Sequence, residues 1–403
     1  MKRLIGYMAA LCLLAITVGC GGVTSTGTLA YISNSNGTGF TVFTVNTDGT
    51  LTTSDISPQS TPAAPKTLVF SANGKWAYFL DTPGDNVYAY TRAGNGDLSI
   101  QIGVYPVSAG ASSLAVAPNN NFLYVSLPST GQLQYFAIDP ATGILTGATP
   151  TNITYAINQL VMSPSGGVLF GLAGTQQAVV SFTLNSSSGV ATLASTTPVG
   201  PKPSYMVLSE NGSYMYVLDS QATAPIVNST GQTIASAPIF FGFNVQGNGT
   251  LLTMNGSPFQ ENPALLPTAT FPAGNYPSGP ISGATSNDNR YLYIANQGSH
   301  NVSVFKIGTT TGQPTEVLGS ITTVNGVQVS VASPFDCGTL CTTPSFLAVA
   351  KANNALYLID STPGANKIFQ LGIDQNTGDL RALNPPFVSP ESASSNPTWI
   401  TIR

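Results

Sequence analysis

A short apolar run centred on an aromatic recurs seven times along the chain: Ala30-Tyr31-Ile32, Ala77-Tyr78-Phe79, Leu123-Tyr124-Val125, Leu169-Phe170-Gly171, Met215-Tyr216-Val217, Leu292-Tyr293-Ile294 and Leu356-Tyr357-Leu358. The intervals between the aromatic positions are 47, 46, 46, 46, 77 and 64 residues. A period of about 40 to 50 residues is that of a four-stranded propeller blade, and the two long intervals read as insertions into a regular array. Within one unit the pattern names four strands: Ser113 to Ala117, Phe122 to Ser126, Leu133 to Ile138 and Ile144 to Gly147. Each is short, β-branched or aromatic in character, and bounded by turn residues. Pro118-Asn119-Asn120-Asn121, Pro164-Ser165-Gly166-Gly167 and Glu210-Asn211-Gly212-Ser213 read as turns between strands one and two, because Asn and Gly tolerate positive φ. Asp139-Pro140-Ala141-Thr142-Gly143 and Asp374-Gln375-Asn376-Thr377-Gly378 join strands three and four.

The array begins at a second strand, Leu29 to Ser33, with no first strand before it. Asn396-Pro397-Thr398-Trp399-Ile400-Thr401-Ile402 repeats the first-strand pattern of Pro203 to Leu208 and Pro344 to Val349. The expectation is an all-β chain: one seven-bladed β-propeller over residues 29–403, four antiparallel strands per blade. Strand 396–402 completes the N-terminal blade, which removes an open sheet edge.

Ahead of the array, Lys2 and Arg3 precede an apolar stretch from Leu4 to Ile16 and a small-residue end, Thr17-Val18-Gly19-Cys20. This reads as an export signal over residues 1–19. Its ending resembles a bacterial lipobox, which makes Cys20 the lipidated residue and 20–28 a short tether. Thr17 stands where Leu is usual, so a cleaved secretory signal or an uncleaved anchor are the alternatives. No later segment approaches the roughly 20 apolar residues of a transmembrane helix. The expected location is the cell envelope, with the membrane contacted through the lipid alone. Gly21 in place of Asp after the anchor favours the outer membrane.

The charge supports that placement by exclusion. Charged residues are 7% of the chain, the formal net charge is −4, and no Lys or Arg run occurs. Without Lys2 and Arg3 the balance is 10 basic to 16 acidic residues, which argues against nucleic acid as a partner. Beyond Cys12 and Cys20, the cysteines are Cys337 and Cys341, in Cys-Gly-Thr-Leu-Cys. In an oxidising compartment a local disulfide is the plain reading. A zinc site would need further ligands, and His300 is the sole histidine. No metal site and no cofactor are expected, a structural cation in the central channel aside, and the chain is read as a monomer.

The runs Ala117-Pro-Asn-Asn-Asn-Phe-Leu-Tyr-Val-Ser126 and Asp139-Pro-Ala-Thr-Gly-Ile-Leu-Thr146, with Tyr291 to Asn296 and Asn301 to Ile307, resemble the propeller-type lactonase family. That family includes the propeller 6-phosphogluconolactonases and lies close to the YVTN-repeat proteins. The resemblance covers residues 29–403 and implies the same fold. For the catalytic members it implies histidine, arginine and carboxylate groups over the central channel, since lactone opening needs a base for water and a cation for the oxyanion. Beyond the signal the arginines are Arg92, Arg290, Arg381 and Arg403, and strand register puts each away from the presumed active face or at the terminus. The catalytic set does not carry over residue by residue. WD repeats fit less well, because no unit has a Trp-Asp ending or a Gly-His start.

In a propeller the two-to-three loops and the blade-to-blade connections open on one face, and the other turns on the opposite face. Three insertions, Gln221 to Pro238, Asn255 to Ser282 and Ser320 to Pro344, fall on the first face, where binding residues are usually carried. Candidate rim groups there are Asn34, Asp81, Asp219, Asn296 and Asp360 near the end of strand two, with Lys66 and Lys202 near the start of strand one. Asp and Asn in such places also cap turns through their own backbone, so a site requires several to converge. His300, in a loop of the same class, is the candidate general base; its plainer reading is a polar turn residue. The seven strand-two aromatics read as packing between blades. The functional expectation is a binding or interaction module for a polar small molecule, glycan or protein. The alternatives are a lactone hydrolase and a structural surface protein.

Overall fold

A computed structural model describes residues 27–227, 231, 233–261, 277–317, 321–324, 327–330, 333–336, 342–362, 366–389 and 396–403. The signal segment, Cys20, and the Cys337 and Cys341 pair lie outside these residues, as does most of the second insertion.

The described chain is a ring of seven four-stranded antiparallel sheets, a seven-bladed β-propeller. Blade 3 is a plain unit: Ser113–Val116, Phe122–Leu127, Gln132–Ile138 and Leu145–Asn152, in that order from channel to rim. Its fourth strand continues five residues past the span expected from sequence. Blade 1 is closed as the terminal pattern predicts. Pro397–Ile402 pairs antiparallel with Leu29–Asn34, Tyr31 opposite Thr401, while the amides of Leu29 and Arg403 exchange hydrogen bonds with each other's carbonyls at 2.7 and 2.8 Å.

The core follows from the repeat. The first six residues of every strand two are buried because both faces meet neighbouring sheets. The apolar side chains form seven clusters, one at every interface between consecutive blades, including that between blades 7 and 1. The repeated aromatics sit in these interfaces, at most 1% exposed. Five also fasten the next blade: the hydroxyls of Tyr31, Tyr78, Tyr124, Tyr216 and Tyr357 donate to the carbonyls of Gly96, Gly143, Gly189, Gly312 and Gly49 at 2.6–3.0 Å. Those glycines hold the strand three-to-four turns at positive φ; at Gly143 an added Cβ would lie 2.3 Å from the Trp76 ring.

One insertion differs from expectation. Residues 221–238 are not a loop: strands two and three of blade 5 run on as Tyr214–Val227 and Thr233–Val245, paired as far as Val227 opposite Thr233. The composition of Ala222-Thr223-Ala224-Pro225-Ile226-Val227 explains it, since β-branched residues in register extend a hairpin at low cost.

Candidate functional site

The channel mouth on the long-loop face is built by the inner strands. In every blade one inner-strand residue pairs with the residue two past the strand-two aromatic: Thr67, Ser113, Gln159, Tyr205, Ser282, Phe346 and Trp399. They form one level around the channel, with two chemistries. Thr67, Ser113, Gln159 and Ser282 are polar. Tyr205, Phe346 and Trp399, from blades 5, 7 and 1, meet as aromatics, with ring centroids 6.3 Å apart for Tyr205–Phe346 and 4.3 Å for Phe346–Trp399. The aromatic contacts close one side of the channel and leave a cavity against the polar side.

That cavity has a volume of about 590 Å³. Its walls include Thr67, Ser113, Gln159, Tyr205 and Trp399 from the ring, and Lys66, Ser112, Asn158, Ser204 and Thr398 one residue nearer the face. In blades 1, 2 and 5 the latter residue is an extra one. Pairing register shifts between Pro65 and Thr67, between Pro203 and Tyr205, and where Trp399 gives way to Pro397, so Lys66, Ser204 and Thr398 sit on bulges. A β-bulge re-aims a side chain and bends its strand, which turns two successive positions of an inner strand toward one cavity.

Several wall groups also stitch the blades together. Gln159 grips the backbone of Met206 at both ends, Nε2 donating to its carbonyl at 2.9 Å and Oε1 accepting from its amide at 2.8 Å. Ser113 Oγ accepts the amide of Leu160 at 3.0 Å, and Ser204 Oγ donates to Pro280 O at 2.7 Å. These bonds fix the polar wall before any ligand arrives. Lys66 is the charged group of the wall. Its ammonium donates to Ala111 O at 3.0 Å, and burial lowers its pKa, with the Asp81 charge pulling it back up. The Tyr205 hydroxyl is pushed well above its usual range by burial, against a hydrogen bond from Ser282.

Of the residues singled out in the sequence, Lys66 lines this cavity and the others do not. Asn34, Asp81 and Lys202 each adjoin a wall residue, Ser35, Thr82 and Pro203. Asp81, 3% exposed, turns its carboxylate into its own loop, where it accepts from the amides of Asp85 and Asn86 at 2.8 and 3.1 Å. Asp219 accepts from the amides of Lys202, Gln221 and Ala222, and Asp360 from those of Thr342, Thr343 and Thr362. Asn34 donates to Thr41 Oγ1 at 3.0 Å. Asn296 donates to Glu261 Oε2, Asn301 Oδ1 and Ser303 Oγ in a buried group between blades 5 and 6. Lys202 is exposed, and His300 is half-buried with φ 58° in its loop. Among the described residues no group of three or more His, Cys, Asp or Glu side chains gathers as metal ligands.

Sequence reasoning missed the ring itself. Its signal was present, as the residue two places past the Pro that opens five of the inner strands, but only the pairing register equates a Thr, a Gln and a Trp in different blades.

No protein-family model and no curated protein sequence matches the chain. Solved structures do. A Bacteroides uniformis protein provisionally named a 6-phosphogluconolactonase superposes with a TM-score of 0.70 at 16% identity, over 94% of this chain and 100% of its own. A Lactobacillus plantarum protein gives 0.67 at 16%, over 94% and 99%. The periplasmic gluconolactonase PpgL of Pseudomonas aeruginosa gives 0.66 at 17%, over 93% and 98%. The chain shares their seven-bladed fold. At such identities fold is what is shared, so function has to be argued from the propeller's own channel.

Proposed function

We propose that this propeller is an extracytoplasmic binding protein whose long-loop channel mouth takes a neutral, polar small molecule of saccharide type. One observation carries the reading: a cavity of about 590 Å³ lined by hydroxyl and amide side chains together with the aromatic rings of Trp399 and Tyr205. A sugar offers matching surfaces, hydroxyls for Ser112, Asn158 and Thr398 and an apolar ring face for the indole. A wall with a single cation and no carboxylate disfavours a cationic ligand, and its remaining hydroxyl and amide groups match the hydroxyls of a sugar. Export and a lipid anchor at Cys20 belong to the same reading, supported by the N-terminal sequence and by the periplasmic setting named for the Pseudomonas neighbour.

Tryptophan fluorescence tests it, because Trp399 lines the cavity while Trp76 is buried in a blade interface. Titration with neutral monosaccharides, disaccharides and aldonolactones is expected to give a saturable signal. Calorimetric titration, which needs no reporter ring, should find binding about tenfold weaker in Trp399→Ala, as loss of one aromatic face implies. Absence of saturation across the panel would remove the proposal.

A second reading, lactone hydrolysis, is favoured by the names of the fold neighbours. Here Lys66 is the cation available to a developing oxyanion. Turnover of an aldonolactone above the spontaneous rate, lost in Lys66→Met or His300→Ala, would select it; no turnover selects the binding protein.

A further inference from the structure

The aromatic contacts divide the channel, and its other end has a different chemistry. On the short-turn side two cavities of about 440 and 350 Å³ meet at Ile402. Arg403 lines the first and Lys351 the second. Arg92 lies over Phe70, a wall residue of the first cavity, its Cζ 5.8 Å from the ring centroid. The three cations are thus gathered around one mouth, two in cavities that share Ile402 and the third over a wall ring. The Lys351 ammonium is held below its usual pKa by lost hydration and then by the Arg403 and Arg92 guanidiniums, and Arg403 is lowered by burial and by Arg92. Glu210 is the one side-chain carboxylate lining either cavity; burial pushes its pKa up, and the Lys351 charge pulls it back down.

None of the three cations forms an ion pair among the described residues, where Arg290–Asp288 does at 2.7 Å. Arg403 donates to Ala72 O at 2.7 Å and Arg92 Nε to the Tyr31 hydroxyl at 3.3 Å; each guanidinium has further N–H groups. Gathering like charges at one mouth of an acidic chain disfavours the charged forms. Glu210, in the same cavity as Lys351, offsets one charge of the three, and an anion seated between the cations would remove the remaining repulsion.

We propose that the short-turn mouth of the channel binds an oxyanion, the phosphate or carboxylate of a ligand, between Lys351, Arg403 and Arg92. The arginines offer planar forks and the lysine a mobile point charge, the combination that holds such groups. The site is separate from the long-loop cavity and stands or falls independently of it. Calorimetric titration of the purified protein with inorganic phosphate at low ionic strength is the test. One saturable site is expected, with Lys351→Met and Arg403→Gln each weakening it about tenfold. Lys75→Met, on a turn of the same face but outside both cavities, should leave it unchanged. No saturable heat, or equal weakening by Lys75→Met, overturns the proposal. Should Arg403→Gln fail to fold, Lys351→Met decides alone, since that ammonium makes no hydrogen bond among the described residues. Displacement of phosphate by phosphatidylglycerol vesicles would assign the oxyanion to a lipid headgroup, and no displacement to a free ligand.

Discussion

At the scale of single residues, the same side chain is worth different amounts in different blades. Tyr216 is buried with its hydroxyl bonded to Gly312 O at 2.6 Å, whereas Tyr293, equally buried, has a hydroxyl without a partner among the described residues. Burying an unpaired hydroxyl is costly, while a paired one stabilises by roughly 1 kcal/mol net. Tyr216→Phe is therefore expected to lower the urea-unfolding free energy by about 1 kcal/mol, and Tyr293→Phe to leave it unchanged or raise it. Equal losses in both would show that ring packing, not the hydroxyl, sets the difference. Phe170, the fourth-blade member of the series, shows the position tolerates a ring without a hydroxyl. The acidic candidates Asp81, Asp219 and Asp360 were visible in the sequence by type and position. Which way each carboxylate turns was not, because that depends on amides brought up by the following loop.

Between elements, a feature unread in the sequence fastens outer strands to their sheets. Ser57, Ser257 and Ser333, each followed by a cis proline, accept the amides of Val42, Gly242 and Val304 at 2.9–3.0 Å. After the second of these comes Glu261, fully buried against blade 6, where Ser303 Oγ at 2.5 Å and Asn296 Nδ2 at 3.0 Å donate to its Oε2. Among the described residues its Oε1 has no hydrogen-bond partner, a buried acceptor whose cost protonation of the carboxyl would lower. Burial raises this pKa from 4.5 to about 7, against the two hydrogen bonds that lower it. The folded state thus keeps a proton that the unfolded chain releases near 4.5, so stability is full below that pH and falls as pH rises toward about 7, by roughly 3 kcal/mol. Unfolding at intervals across that window should show the decline in the wild type and a flatter profile in Glu261→Gln. An identical decline in the variant would assign it to other groups.

On the scale of the whole molecule, ring closure fixes how the two faces are presented. Strand Leu29–Asn34 runs from the short-turn face to the long-loop face, so the described chain enters the propeller on the short-turn side. A lipid at Cys20, with a tether of a few residues, would hold that face toward the membrane and leave the long-loop cavity facing away. Fractionation of cells expressing the full chain should find it with membranes, and Cys20→Ser should move it to the soluble fraction. Retention of the variant at the membrane would point to an uncleaved apolar segment instead.

Local chemistry along the chain determined the blade count, the turns and the closing strand, because a strand's period of two and its turn residues are properties of a few consecutive positions. It also located the elaborated face, since loop length is counted directly. Only the tertiary structure decided what lines the channel. Thr67, Gln159 and Trp399 come to line one cavity through antiparallel register in separate sheets, and Lys351, Arg92 and Arg403 gather at one mouth through the curvature of the ring. Inner-strand bulges, inter-blade hydrogen bonds and the meeting of three distant aromatics are long-range outcomes, so the same residues read singly say nothing of a partitioned channel.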